Sequence, residues 1–129
     1  MKKNIILSVA LLMSAAAFGQ DVSIKNGLIS IDGKVCLKLA DKDLNNVSIL
    51  DLGGHEIIFL RFIHDSKYGS LYNKITFIDQ KLSMTSKSYI FTKKLLIKKL
   101  AGDNTISDCK LIPENVEKFV MKYDENVER

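Results

Sequence analysis

The residues best suited to acid–base or metal chemistry are two histidines, His55 and His64, and the sequence contains no others. They lie at the two ends of one predicted strand, and their odd separation places their side chains on opposite faces of it. The sequence therefore does not predict a shared metal ion. Each has a neighbouring carboxylate, Glu56 or Asp65, but adjacent side chains on a strand diverge and do not form the oriented contact of a general base. We therefore expect both histidines to be surface residues at the ends of the strand.

No nucleophile motif accompanies the histidines. The sequence lacks a G-x-S-x-G elbow, and neither cysteine adjoins a histidine along the chain. We therefore predict no catalytic residue, no metal site and no cofactor. A site assembled only in space stays open at this point, because sequence spacing does not report contacts between distant segments.

The sequence contains two cysteines, Cys36 and Cys109. In an exported chain an oxidising compartment favours a disulfide between them, which would close a long loop and add about 4 kcal/mol of stability. Two observations do not favour the disulfide. Cys36 is out of phase with the apolar Val35, Leu37 and Leu39, and the sequence does not determine the distance between the two Cα atoms. The bridge and two free thiols are both left open. No C-x-x-C spacing is present, which argues against a thioredoxin-like redox site.

The first nineteen residues have the layout of a cleavable signal peptide. Lys2 and Lys3 give a positive start, and the apolar run over 5–17 is shorter than the roughly twenty residues of a membrane-spanning helix. Small residues precede a predicted cut between Gly19 and Gln20. The sequence thus predicts a signal peptide over 1–19, a single α+β domain over 20–129, and no transmembrane anchor after cleavage.

The charge of the chain is modest. It has 19 Lys and Arg against 15 Asp and Glu, and losing Lys2 and Lys3 leaves seventeen basic against fifteen acidic residues, a net charge of +2. Such a balance does not indicate nucleic acid as a partner, and the sequence has no Gly-rich phosphate loop.

The first part of the mature chain has the period of β-strands. Apolar residues alternate with polar ones, and the dipeptides Asn26-Gly27 and Asp32-Gly33 are typical of tight hairpin turns. The segment 56–64 has apolar residues on both faces and is predicted to be a central strand. The six predicted strands are about 22–24, 28–31, 35–39, 47–52, 56–64 and 71–78.

Beyond residue 86 the apolar period changes to that of a helix. One helix is predicted over about 88–101, ended by Gly102, and a second begins at Pro113, which suits the first helical position. Its apolar stripe runs to Val127, so the chain is expected to end in a charged helix over 124–129. The predicted fold is α+β, an antiparallel β-meander of about six strands followed by two C-terminal helices.

Two groups of surface residues are candidates for binding. The first helix is basic, as in helices that touch anionic membranes or acidic partners, although lysines on a solvated helix face give the same pattern. The second candidate is the loop over 65–72, where Tyr68 and Tyr72 could contact a partner. Tyrosines at the solvent edge of a sheet are the alternative explanation. The lysines of the basic helix are Lys93, Lys94, Lys98 and Lys99.

Four features of the chain occur together in a recognisable order. They are a signal ending Ala-Phe-Gly-Gln at 17–20, an Asp-Gly-Lys turn at 32–34, an apolar central strand, and a closing helix with Phe119, Val120 and Tyr123. In this the chain resembles small exported proteins of uncharacterised families in the Bacteroidota. The resemblance implies export and an α+β fold, and it implies no activity or functional residues.

Two functions follow as hypotheses. The first is a non-enzymatic binding or interaction module, in which the sheet face away from the helices, or the 65–72 loop, contacts a partner such as another envelope protein. The alternative is a small envelope hydrolase in which His55 or His64 meets an acid and a nucleophile in space. Because the chain is expected to end in a charged helix rather than a sorting domain, the periplasm is favoured over release from the cell.

Overall fold

The structure is a computed structural model that describes residues 21–129, so the predicted signal peptide and Gln20 lie outside the described residues. It contains a seven-stranded antiparallel sheet, a short two-stranded hairpin and two helices. The predicted α+β class, a meander followed by two C-terminal helices, is confirmed. The strands are β1 (Val22–Lys25), β2 (Leu28–Ile31), β3 (Lys34–Asp43), β4 (Asn46–Leu50), β5 (Glu56–Ser66), β6 (Gly69–Phe77), β7 (Leu82–Ser86), β8 (Ile106–Ser107) and β9 (Lys110–Leu111), and the helices are α1 (Lys93–Gly102) and α2 (Pro113–Tyr123).

The sheet is a meander in which each strand pairs with the strand before it, in the order β1 to β7. Tight turns favour this order because they join each strand directly to the next. The positive φ that such turns require is found at Asn26, Gly27, Asp32 and Gly33. The predicted central strand, β5, is the longest and pairs with β4 and β6. Its core face carries Ile58 and Leu60, whereas Phe59 and Ile63 on the other face are only half-buried.

Both helices pack on the same face of the sheet. The apolar side of α1 lies near β1, and α2 contacts β7. Their buried side chains join those of alternate strand positions in one core. Neither described helix is long and apolar enough to cross a membrane. The buried core residues contributed by the helices are Leu96, Ile97, Leu100, Ala101, Val116 and Phe119.

Two β-bulges bring extra residues into the core. In β3 the pairing shifts at Cys36, which has no partner on β2, and in β5 it shifts at Ile57, which has no partner on β4. A bulge breaks the strict alternation of a strand. Consequently Cys36 and Leu37 are both buried, as are Ile57 and Ile58. The mismatch between Cys36 and its apolar neighbours in the sequence is resolved in this way.

The strand β7 corrects the predicted count of six. It reads Leu-Ser-Met-Thr-Ser, with Met84 facing the core, and it pairs with β6 along five residues. The turn before it contains no glycine, and Lys81 adopts the positive φ instead. A short strand entered through such a turn lacks the sequence signal that marks the other hairpins. The hairpin β8–β9 was not predicted either. The strand β3 continues to Asp43, through part of the stretch expected to be a polar connection.

The helix α1 begins later than the sequence predicts. Residues 88–92 are not helical, because the backbone N–H of Phe91 donates to the buried side chain of Asn73 and the Ser86 hydroxyl donates to the Tyr89 carbonyl. Thr92 then caps the helix by accepting from the N–H of Leu95. Tertiary contacts therefore outweigh the helical periodicity of this segment.

The helix α2 begins at Pro113 as predicted but ends at Tyr123. The predicted charged helix over 124–129 is wrong: these residues, called the tail below, leave the helix and lie against β7. The backbone N–H of Asp124 bonds to the Val120 carbonyl and closes the helix, after which the N–H of Glu125 donates to the carbonyl of Thr85 at 2.8 Å. The tail covers the outer edge of β7.

Candidate functional site

The two histidines lie far apart at the surface. His55 lies just before β5, and its Nε2 is 2.8 Å from a carboxylate oxygen of Asp79. The hydrogen bond and charge of Asp79 raise the pKa of His55. His64 Nε2 is 2.9 Å from the side-chain oxygen of Asn45. Among residues 21–129 neither histidine hydrogen-bonds to a hydroxyl or thiol, and no three ligands of the His, Cys, Asp and Glu types are grouped to hold a metal ion.

The disulfide between Cys36 and Cys109 is present. The two Cα atoms are 5.0 Å apart, which is within the usual range for a bridge. The bulge in β3 directs Cys36 inward, while Cys109 lies in the turn of the β8–β9 hairpin with a positive φ of 64°. The bridge thereby fixes the hairpin that connects α1 and α2 to the body of the sheet.

The sheet face opposite the helices, called the open face below, is uncovered over most of its area. Alternation along the strands and the observed register define it. Lys25, Leu28, Lys38 and Leu50 are adjacent across four strands, and all lie on the face away from the buried Leu37. Leu28 is 39% exposed. No helix or hairpin among the described residues packs on this face.

The open face is positively charged. Lys25, Lys38, Arg61 and Lys74 all occupy outward positions, with Arg61 and Lys74 directly opposite each other on β5 and β6. Within the described chain Lys25, Lys38 and Arg61 form no ion pair. Phe59 lies on the same face, two positions before Arg61 on β5, and is half-buried. Cations and a partly exposed aromatic ring on one face give a surface suited to an acidic partner.

One carboxylate on this face is already engaged. The side chain of Glu56 accepts a hydrogen bond from the hydroxyl of Ser48, which is buried. The donor is a neutral hydroxyl, so the open face carries the negative charge of Glu56 as well as its four cations.

The tail forms the second feature of the site. It runs from the end of α2 around β7 and reaches outward-facing residues of β6. Three of its acidic residues make the contacts: Asp124 accepts from the N–H of Thr85 at 3.0 Å, and Glu128 accepts from the Lys74 ammonium at 3.0 Å. Glu125 accepts from two successive backbone N–H groups. The donors to Glu125 belong to Lys87 and Ser88.

These hydrogen bonds lower the pKa of two tail carboxyls. For Glu125 the main cause is the hydrogen bonding from Ser88, and for Glu128 it is the hydrogen bond from the Tyr72 hydroxyl. The pKa of Tyr72 itself is raised, chiefly by burial. Ionised tail carboxylates are thus the forms that the contacts stabilise.

The structure brings Tyr68 and Tyr72, the two binding candidates from the sequence, to the tail. Tyr72 is only 1% exposed, and its hydroxyl donates to Glu128. Tyr68 is half-buried and lines a shallow groove of about 300 Å³ beside the tail, together with Lys87. The binding role stays a prediction for both. Since the ring of Tyr72 is buried, Tyr68 is the one of the pair whose ring a partner could reach.

No family model, curated protein or solved structure matched the chain.

The basic helix has a mostly solvated lysine face. Lys94 and Lys98 are exposed, whereas Lys93 bonds to Asp41 at 2.8 Å and Lys99 lies over the ring of Tyr123. Two of the four lysines are thus used within the fold, in keeping with the solvated-face interpretation.

Sequence reasoning missed the tail contacts. The apolar stripe of α2 extends in phase to Val127, which favoured a longer helix. One signal pointed the other way: Asp124 and Glu125 would have lain at the carboxyl end of that helix, where its dipole disfavours negative charge. That signal indicates an end near Tyr123, but it does not identify β7 as the binding surface.

Acidification is expected to release the tail. The lowered pKa values of Glu125 and Glu128 mean that their stabilising effect is complete above their ordinary value of 4.5 and is lost as the pH falls through the lowered values. We expect the NMR amide signals of Thr85, Lys87 and Ser88 to move together on titration to acid, while those of core strands stay in place. The Glu125→Ala variant should show no such transition at Lys87 and Ser88. Unshifted signals in the unmodified protein would contradict the carboxylate contacts.

Proposed function

We propose that the protein is an exported, non-enzymatic interaction module that binds an acidic partner protein of the cell envelope through the open face. The observation that carries the proposal is the one-sided arrangement of the fold. Both helices cover one face of the sheet, and the other face presents three cations without an ion pair among residues 21–129, together with half-buried Phe59.

Export is supported by two independent features. The sequence has the layout of a signal peptide over 1–19, and Cys36 and Cys109 form a disulfide. Structural disulfides persist in oxidising compartments outside the cytoplasm. The periplasm is the proposed location.

An acidic partner follows from the charges. Lys25, Lys38 and Arg61 are outward-facing and have no ion-pair partner within residues 21–129. Exposed cations of this kind accelerate association with an acidic surface and set its orientation. The half-buried Phe59 supplies an apolar contact of the type found at the centre of interfaces.

The hydrolase alternative has one observation in its favour, the contact between His55 and Asp79 at 2.8 Å. An imidazole held by a carboxylate is part of many catalytic sites, but here both side chains are more than half exposed and no nucleophile contacts them in the described structure. A fluorophosphonate probe would favour this alternative if it labelled the protein and if labelling were lost in His55→Ala.

Photocrosslinking in the cell of origin tests the proposal. A photoreactive phenylalanine analogue placed at Phe59 is expected to give a crosslink to a discrete protein, whereas the same analogue at Met121, on the solvent side of α2, is expected to give none. Adding Lys38→Glu and Arg61→Glu should reduce the yield at least about tenfold, because two favourable contacts become repulsive.

The matched control reverses charge elsewhere. Lys94→Glu and Lys98→Glu change two exposed lysines of α1 and should leave the crosslink unchanged. Equal losses from both pairs of substitutions, or crosslinks from Met121 alone, would show that the open face is not the contact surface.

A further inference from the structure

The acidic side chains of the tail lie in a groove whose hydrogen-bond donors they accept from, while Thr85 accepts from two backbone N–H groups of the tail. The tail groove is defined by Tyr68, Tyr72, Lys74, Thr85, Lys87 and Ser88. Its donors are the Tyr72 hydroxyl, the Lys74 ammonium, and backbone N–H groups of Thr85, Lys87 and Ser88. Two ammonium groups lie in or beside it. Such a groove is complementary to carboxylates whatever chain supplies them.

The contacts of the tail are also unlike those of a strand. Only one backbone-to-backbone bond joins it to β7, from Glu125 to Thr85, and the tail is not paired as part of the sheet. The side chain of Asp124 takes the place that a strand carbonyl would fill at the N–H of Thr85. The edge of β7 is thus satisfied by exchangeable side-chain groups rather than by a continuous ladder.

Little apolar burial holds the tail in place. Asp124, Glu125, Asn126 and Arg129 are exposed, and Val127 is half-buried. A segment held by polar contacts at the surface has a low free energy of local opening. An incoming segment with equivalent carboxylates would replace the same bonds one for one.

We propose that the tail groove is a binding site for an extended acidic segment of the partner, and that the chain's own tail occupies it until the partner displaces it. The inference rests on the proposed interaction function and names the chemistry of what is bound. The groove adjoins the open face, since Lys74 belongs to both. The spacing of the tail carboxylates specifies the ligand: two successive acidic residues followed by a third three positions later, as in Asp124, Glu125 and Glu128.

A labelled peptide with the tail sequence, Asp124 to Arg129, tests this in the full chain. The variant with Glu125→Ala and Glu128→Ala has a weakened tail and is expected to bind the peptide in fluorescence anisotropy. The unmodified protein should bind it at least about tenfold more weakly, because its tethered tail competes at a high effective concentration. A peptide with Asn, Gln and Gln in place of the three acids should bind to neither.

The control is Glu117→Ala, which removes an exposed carboxylate of α2 outside the groove and should behave as the unmodified protein. Hydrogen exchange at Thr85, Lys87 and Ser88 reports the state of the tail independently, and it should be faster in the weakened variant and slow again with peptide. Absence of peptide binding to that variant overturns the proposal, and so does undiminished amide protection, since the tail would then not depend on its carboxylates.

The failures of the two proposals differ. Crosslinking from Phe59 without peptide binding would contradict the tail groove as a binding site but not the open face. Peptide binding without any crosslink from the open face removes the partner surface and leaves the groove as a site for acidic segments. If two copies of the chain instead exchange their own tails, native mass spectrometry of the unmodified protein without peptide will give a dimer, which also overturns binding of a different partner here.

Discussion

Replacing Phe119 by alanine is expected to lower the free energy of unfolding by about 3–5 kcal/mol. The ring is 2% exposed and lies where α2 meets the sheet and the segment before α1, with ring centroids 6.1 Å from Phe77, 6.2 Å from Phe91 and 4.7 Å from Tyr123. Its removal leaves a cavity among three other rings, which cannot all move inward together. Urea denaturation followed by circular dichroism would measure the loss.

The control for this prediction lies on the same helix. Met121 is 84% exposed, so Met121→Ala removes a side chain of similar length without opening a cavity. We expect its free energy of unfolding to stay within about 0.5 kcal/mol of that of the unmodified protein. Equal effects of the two substitutions would mean that α2 does not pack through Phe119.

Removing the disulfide is expected to cost about 4 kcal/mol of stability. Cys36 and Cys109 are 73 positions apart, so the bridge closes a long loop and strongly restricts the unfolded chain. The experiment compares the unmodified protein with the variant carrying Cys36→Ala and Cys109→Ala in urea denaturation. The same substitutions should speed hydrogen exchange in the β8–β9 hairpin, which the bridge attaches to β3.

Reduction provides the control for this experiment. Dithiothreitol should lower the stability of the unmodified protein by a similar amount and should leave the alanine variant unchanged. A variant as stable as the oxidised protein would mean that the hairpin is held by its other contacts, such as the hydrogen bond between Ile112 and Thr105.

The fold was predictable where local chemistry decides it. Asn26-Gly27 and Asp32-Gly33 determine two turns by themselves, and the apolar segment 56–64 indicates a strand that is paired on both edges. Pro113 likewise determines the start of α2. In each case the signal lies within a few neighbouring residues.

The prediction failed where distant residues decide the structure. The turn before β7 requires a positive φ at Lys81, and lysine is not a residue type that predicts such a turn. The start of α1 depends on Asn73, which binds the N–H of Phe91. Cys36 is out of phase with its neighbours because of a β-bulge. The bulge depends on the pairing of β3 with β2 and cannot be predicted from the sequence of β3 alone.

The candidate site was less predictable than the fold. The binding role of Tyr68 and Tyr72 stays a prediction, and the contact of Tyr72 with Glu128 spans the sequence from β6 to the tail. Charge on the open face was also hidden, because its cations come from four strands and only the register brings them together. A binding surface formed by residues of several strands can be recognised once the pairing of the strands is known.

The order of the strands has a consequence for synthesis. Because β1 to β7 pair in sequence, a chain that leaves the ribosome amino end first can add each strand to the one already made, with little loop to close. Two parts must wait: Cys36 has no partner until Cys109 appears, and β7 keeps a bare edge until the tail is complete. A chain truncated just before residue 109 would therefore contain all seven strands of the sheet, yet have a free thiol at Cys36 and no tail along the edge of β7.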